Sequence, residues 1–293
     1  MSLISSLEYL DTHRFKVQKF LDERFRKVDH NFILREMLKN PIGFAYVIKY
    51  NYEYPEQQRI RMVIEKIVKE GSLTIMIGAK GFGKTSTAVW LLEKIHSLFP
   101  KKKLYWFGYS EGIEEYYPYV NQTYSLTAPE DNSFLVCDEG SLAFFSRDFM
   151  TREQKARIKE LPTLRHRGLS VLIISQFSTS LDVDLFLLSD YIWFKPYFVS
   201  DFDQRLNLPK WLAYCLPHQP QENLVYDMNL ECIYTFKNPL PSRWNEKLSK
   251  PFSKLKSKEE ALEFAGKLKR MGFSDREIFD LCRIRGFDLE KED

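Results

Sequence analysis

The residues best suited to chemistry stand in one stretch, "SLTIMIGAKGFGKTSTAVWLL", residues 72–92. Gly78 is followed by four residues and then by Gly83, Lys84 and Thr85, with an apolar run before the first glycine and an amphipathic run after the threonine. The pattern G-x-x-x-x-G-K-T between a strand and a helix is a phosphate-binding loop, or P-loop. Gly78, Gly81 and Gly83 let the backbone turn tightly and aim N–H groups at phosphate oxygens. The helix that follows presents its positive end to the same anion. Lys84 is expected to reach the β- and γ-phosphates of ATP, and Thr85 to ligate Mg²⁺. Ser86 completes the expected nucleotide-binding set.

A second group lies in "SFLVCDEG", residues 133–140, where a buried strand is expected to release Asp138 at its end. A carboxylate there can hold Mg²⁺ through water, and Glu139 is placed to orient or deprotonate an attacking water. Acids after a strand also cap the next helix. The position, roughly 55 residues beyond the P-loop, favours the functional reading. A Glu directly after the Asp points to hydrolysis by a motor rather than phosphoryl transfer to a small molecule. A third group is "VLIISQ", whose strand ends in Ser175 and Gln176 beside the Asp-Glu strand. Gln176 is expected to bond the γ-phosphate or the lytic water; a strand that simply ends in polar residues is the alternative.

Positioning these groups requires a sheet. Short strands at "SLTIMI", "KKKLYWFGYS", "SFLVCDEG", "LSVLIISQ" and "DYIWFKP" alternate with helical patterns. That alternation predicts an α/β fold, a parallel sheet flanked by helices. The nucleotide then sits at the carboxyl ends of the strands. Residues 1–54 read as a helical N-terminal extension, with Asn40-Pro41 as a break. A further helix is expected from Pro55 to Glu70, ended by Gly71. The P-loop core is assigned to 55–240 and closes with "LVYDMNLECIYTF", a hairpin turning near Met228 and Asn229. Residues 241–257 read as a linker rich in Pro, Ser and Lys, and 258–293 as two short helices around Gly272. Those helices fit a helix-turn-helix with Ser274 as N-cap, a small ubiquitin-associated-like fold, or a plain hairpin on the core.

Composition narrows the class. The chain is 44% apolar and 15% aromatic. That favours a packed core over disorder. A net charge of +3 is too near neutral to establish a polyanionic partner, so local patches must carry that argument. One patch is available: Arg147, Arg152, Lys155, Arg157 and Lys159 crowd a helical stretch opposed by Asp148, Glu153 and Glu160. It reads either as a surface for backbone phosphates or as a solvated charged face. The four cysteines are scattered without a C-x-x-C pair, which argues against a zinc or redox motif and suits a reducing cytosol. No signal peptide is expected from "MSLISSLEYLDTHRFK", and no apolar run is long enough to span a bilayer. The expectation is a cytoplasmic protein, in the host cytoplasm if viral.

Taken together, the P-loop, the hydrophobic strand with Asp138-Glu139, and Arg-x-x-Gly leading into a strand that ends in Gln resemble the FtsK–HerA superfamily of DNA-pumping ATPases. The branches most similar are viral genome-packaging ATPases and the Zot-type phage assembly ATPases. The resemblance covers roughly residues 55 to 200. It implies a RecA/ASCE-like P-loop fold, ATP hydrolysis with Mg²⁺, a homo-oligomeric ring, double-stranded DNA bound without regard to sequence, and a viral capsid as a partner. It also implies that Arg165, in "RHRG", acts in trans on a neighbouring subunit's nucleotide, with Arg167 as the alternative register. The membrane segments of Zot proteins and many FtsK proteins are lacking, which favours the packaging branch. Two other classes stay open: an AAA+-like loader that remodels a protein–DNA complex, and a nucleotide-dependent switch, against which Glu139 argues.

Overall fold

The structure is a computed structural model that describes residues 1–69, 71–107, 113–123, 126, 128–138, 163–176, 181, 183–197, 208–245, 248, 257–270, 275–284 and 287. Four helices come first: α1 (Leu3–Thr12), α2 (Arg14–Arg24), α3 (His30–Met37) and α4 (Pro41–Tyr52). Their starts are set locally. Ser2 and Ser5 form a reciprocal capping box on α1, Asp29 accepts from the Asn31 N–H, and Asn40 accepts from the Gly43 N–H with Pro41 in the first turn of α4. The break expected at Asn40-Pro41 is thus the cap of α4. Helix α5 (Glu56–Ile67) buries Ile60, Val63, Ile64 and Ile67, one face at helical spacing. Gly71, at φ +72°, then turns the chain into the sheet. A Cβ there would stand 2.6 Å from the Arg165 carbonyl oxygen. The turn therefore requires glycine for space as well as for φ.

Among the described residues eight strands follow: β1 (Leu73–Ile77), β2 (Leu104–Phe107), β3 (Val120–Thr123), β4 (Phe134–Cys137), β5 (Ser170–Ser175), β6 (Tyr191–Phe194), β7 (Glu222–Asp227) and β8 (Cys232–Lys237). They form one sheet in the order β3-β2-β4-β5-β1-β6-β7-β8. The strands from β3 to β6 pair in parallel, and β7 and β8 are antiparallel. Strands β1, β4, β5 and β6 are buried at every position, as expected of parallel strands covered on both faces. Between them lie α6 (Lys84–Leu98), α7 (Ile113–Tyr116), α8 (Val183–Leu188) and a 3₁₀ turn over Lys210–Tyr214. The architecture is an α/β P-loop fold with β5 between β1 and β4.

Two features go beyond the sequence reading. Strand β3, "VNQT", was not anticipated and supplies the edge of the sheet. The expected hairpin exists, turning through residues 228–231, and extends the same sheet past β6. Helix α4 packs directly on that hairpin. The Asn51 amide donates to the Ile233 carbonyl at 2.8 Å and accepts from the Thr235 N–H at 2.9 Å. A Cβ on Gly43 would lie 2.6 Å from the Glu231 carbonyl oxygen.

Residues 241–245 are fastened to the core. Ser242 donates its N–H and hydroxyl to Glu93 of α6, and Asn245 donates to the Tyr116 hydroxyl at 2.7 Å. Two final helices, α9 (Lys258–Arg270) and α10 (Asp275–Ile284), pack on each other and bury Ala261, Phe264, Leu268, Ile278 and Cys282. Among the described residues, no helix is long and apolar enough to cross a membrane.

Candidate functional site

The site begins where β1 stops. Ile77 pairs with Ser175 of β5 on one side and Phe194 of β6 on the other, so the chain leaves the sheet between two buried strands. The Ala79 N–H donates to the Pro196 carbonyl at 2.9 Å, which ties the loop entrance to the segment after β6. Gly81 and Gly83 take φ of +82° and +75°. Residues that bear a side chain rarely adopt such backbone. Gly83 stands at the N-cap of α6 without a side-chain cap, which leaves the first-turn N–H groups of the helix to an anion.

Lys84 is buried and folds back over the loop, donating to the Gly78 carbonyl at 2.7 Å and the Ala79 carbonyl at 2.9 Å. Thr85 Oγ1 lies 3.5 Å from each carboxylate oxygen of Asp138. That carboxylate is only 5% exposed and is presented by the end of β4, whose pairing continues through the Asp138 N–H to the Phe107 carbonyl. A hydroxyl and a carboxylate are hard oxygen donors of the kind Mg²⁺ takes, and their convergence beside the loop fits that ion. Ser86 donates its hydroxyl to the Gly83 carbonyl at 2.9 Å. Cys137, just before Asp138, is fully buried, and burial together with the Asp138 charge pushes its thiol pKa up, so it is inert packing.

Gln176 follows Ser175 at the carboxyl end of β5, half-buried, level with the loop. Glu139 lies outside the described residues, as does the basic stretch from Arg147 to Lys159. Arg165 is described and stands elsewhere. Its guanidinium donates to the Leu188 carbonyl at 3.0 Å and to Asp190 Oδ1 at 3.1 Å. The other Asp190 oxygen accepts from the Leu73 N–H, the first residue of β1. Arg165 therefore sits at the amino end of β1, and the whole strand separates it from its own P-loop. At the usual rise per residue, a strand of this length spans roughly 15 Å. Arg167 is also at the amino edge, paired with Asp131 at 2.7 Å before β4. The fold gathers the P-loop, Asp138 and Gln176 at one end and leaves both arginines at the other.

Sequence reasoning missed a residue under the loop. Lys195, one residue past β6, is 0% exposed. Its Cβ would lie 2.6 Å from a Cβ placed on Gly78. The first glycine of the loop is thus required by this close approach. The Lys195 ammonium donates to Asn223 Oδ1 at 3.1 Å and to Asn238 Oδ1 at 3.4 Å. The Trp193 indole donates to the same Asn223 oxygen, and the Thr87 hydroxyl of α6 to the same Asn238 oxygen. Burial lowers the Lys195 pKa to about 7; the Glu222 carboxylate opposes this shift and the Lys84 charge adds to it. The available signal was a lone lysine closing the apolar run "YIWFKPY".

No family model matches the chain, and no curated protein does. Among solved structures the chain is similar to the genome packaging NTPase B204 of Sulfolobus turreted icosahedral virus 2 in complex with AMPPCP. The identity is 15% and the TM-score 0.47, over 58% of this chain and 99% of that one. It is also similar to the N-terminal domain of zonular occludens toxin from Neisseria meningitidis, at 14% identity and a TM-score of 0.37, over 59% of this chain and 96% of that one. A third neighbour comprises ATPases 2 and 3 of EssC from Geobacillus thermodenitrificans, at 14% identity and a TM-score of 0.44. Here the match spans 73% of this chain and 45% of that one. The first two are proteins of the kinds that the sequence resemblance names.

Proposed function

We propose that this chain is an ATP-hydrolysing motor that moves double-stranded DNA, working as a homo-oligomeric ring, and that its task is packaging a viral genome into a capsid. The observation that carries the nucleotide reading is the convergence of Thr85 and Asp138, from separate elements, beside a lysine folded over a glycine loop. The polymer and the capsid rest on the resemblance of the loop, the Asp-Glu strand and the Arg-x-x-Gly strand ending in Gln176.

In this reading the N–H groups of Gly81 through Ser86 receive the phosphates, and Lys84 exchanges its loop carbonyls for β- and γ-phosphate oxygens. Thr85 and Asp138 would hold Mg²⁺, which supplies charge neutralisation on the phosphates. Glu139 takes the proton of the attacking water, and Gln176 hydrogen-bonds that water or the γ-phosphate. The resemblance gives Arg165 to the nucleotide of an adjacent subunit, and its place at the amino end of β1, away from its own loop, is compatible with that. Its guanidinium then offsets charge on the transferring phosphoryl group.

The direct test is duplex translocation, read as ATP-dependent displacement of a third strand from a DNA triplex. Displacement independent of the duplex sequence is the expected result. ATP hydrolysis that neither responds to duplex DNA nor displaces the third strand would overturn the motor reading and leave a nucleotide-dependent switch.

A further inference from the structure

A buried cation lies directly under the phosphate loop, and nothing in the P-loop pattern asks for it. Lys195 continues the pairing of β6 with β1 through its N–H to the Ile77 carbonyl. Its stem runs against Gly78, so only backbone separates it from the loop entrance. Its ammonium meets two amide oxygens, one on β7 and one just past β8. Those amides hold each other, Asn223 Nδ2 donating to Asn238 Oδ1 at 2.8 Å. Asn238 also accepts from Thr87 in the first turn of α6. One cation thus joins the P-loop, the head of its helix and the antiparallel hairpin.

Among the described residues, the charged groups that bear on it are Glu222 of β7 and Lys84 at the head of α6. Thr87, Asn223, Asn238 and Trp193 share the network and are uncharged. A buried ammonium among neutral acceptors is costly while charged. A polyphosphate bound to the loop above adds the negative charge that its surroundings provide only weakly.

We propose that Lys195 is a positioning residue for the nucleotide: an ammonium beneath Gly78 that fastens the P-loop to the β7–β8 hairpin and carries its proton most firmly when phosphate occupies the loop. Binding of a nucleoside triphosphate then takes up a proton at Lys195. The sign follows from linkage. In the free protein Lys195 loses its proton as the pH rises through about 7, and bound phosphate moves that loss to higher pH. Between the two midpoints the complex holds more protons than the free protein, so affinity falls as pH rises. The inference rests on the nucleotide reading of the loop.

The test is calorimetric titration of the full chain with Mg²⁺–AMPPNP between about pH 7.5 and 8.5, in two buffers of different ionisation enthalpy. The expected result is net proton uptake and an affinity that falls by up to about tenfold per pH unit, the limit for one proton. Lys195→Gln and Lys195→Met, each checked for native melting, are expected to bind without that uptake and with a flat pH profile. A wild-type protein that binds with no proton uptake overturns the inference whatever the variants do. So does a folded Lys195→Gln that keeps wild-type uptake. A wild-type protein that binds no Mg²⁺–AMPPNP at all would instead overturn the P-loop assignment, and this inference with it.

Discussion

Arg165 and Asp190 form an ion pair of 3.1 Å at the amino end of β1, and the P-loop lies at the other end of the same strand. The arginine pairs with a carboxylate that also accepts the first N–H of the strand, and the length of β1, roughly 15 Å, separates it from its own loop. A catalytic role for it therefore requires a second subunit. Arg165→Ala is expected to retain ATP binding and lose turnover by about 10³-fold or more. The ion pair is partly exposed, so stability should change by only about 0–1 kcal/mol. Mixed rings of Arg165→Ala and Glu139→Gln should regain hydrolysis at interfaces that join an intact Glu139 to an intact Arg165. Verified mixed rings without activity would count against the trans role, and a larger loss in Arg167→Ala would move the assignment by two residues.

Lys84→Ala should abolish nucleotide binding, because its ammonium is the charge folded over the loop. Glu139→Gln should bind ATP and turn over very slowly, having lost water activation alone. Equilibrium binding and steady-state phosphate release separate the two. Near wild-type release from Glu139→Gln would remove the residue from its role as base.

Two loop glycines should fail for different reasons. A Cβ on Gly81 meets no atom within 4 Å, but Gly81→Ala must hold a side chain at φ +82°. Left-handed backbone of that kind costs a residue with a Cβ about 1–2 kcal/mol. Gly78→Ala drives its Cβ into Lys195. Overpacking there costs about 1–3 kcal/mol and displaces the loop entrance. Denaturant melts measure both. A Gly78→Ala protein as stable as wild type, with unchanged nucleotide affinity, would show that the loop does not rest on Lys195.

Duplex DNA should stimulate the ATPase without sequence preference, and the stimulation should fade with salt. Each phosphate neutralised contributes about 0.9 to the slope of log affinity against log salt. Arg157→Glu with Lys159→Glu is expected to weaken DNA binding and leave basal hydrolysis intact. Normal DNA binding by this double variant would assign the stretch to solvent and turn attention to Lys269 and Arg270 on α9.

What could be read from the chain alone was whatever local backbone geometry dictates. Gly78, Gly81, Gly83, Lys84 and Thr85 announce themselves because a phosphate loop needs those residue types at a fixed spacing. The apolar strands β1, β4, β5 and β6 were legible because burial on both faces leaves an unbroken apolar run. Asn40-Pro41 and Gly71 marked boundaries by capping and by φ. Strand β3 was not legible, since "VNQT" at the sheet edge buries only its ends and carries no alternating pattern.

Tertiary structure decided the rest, because the remaining meanings depend on partners distant in sequence. Lys195 looks like a charge at the end of a strand until β7 and β8 bring Asn223 and Asn238 to it, 28 and 43 residues further on. Only then is it a buried cation under the glycine loop. Arg165 reads the same whether it faces its own P-loop or another's, and only the parallel order of β5, β1 and β6 sends it to the far end of the sheet. Spacing along a chain specifies which groups a turn can present; the direction and order of strands specify which of them meet.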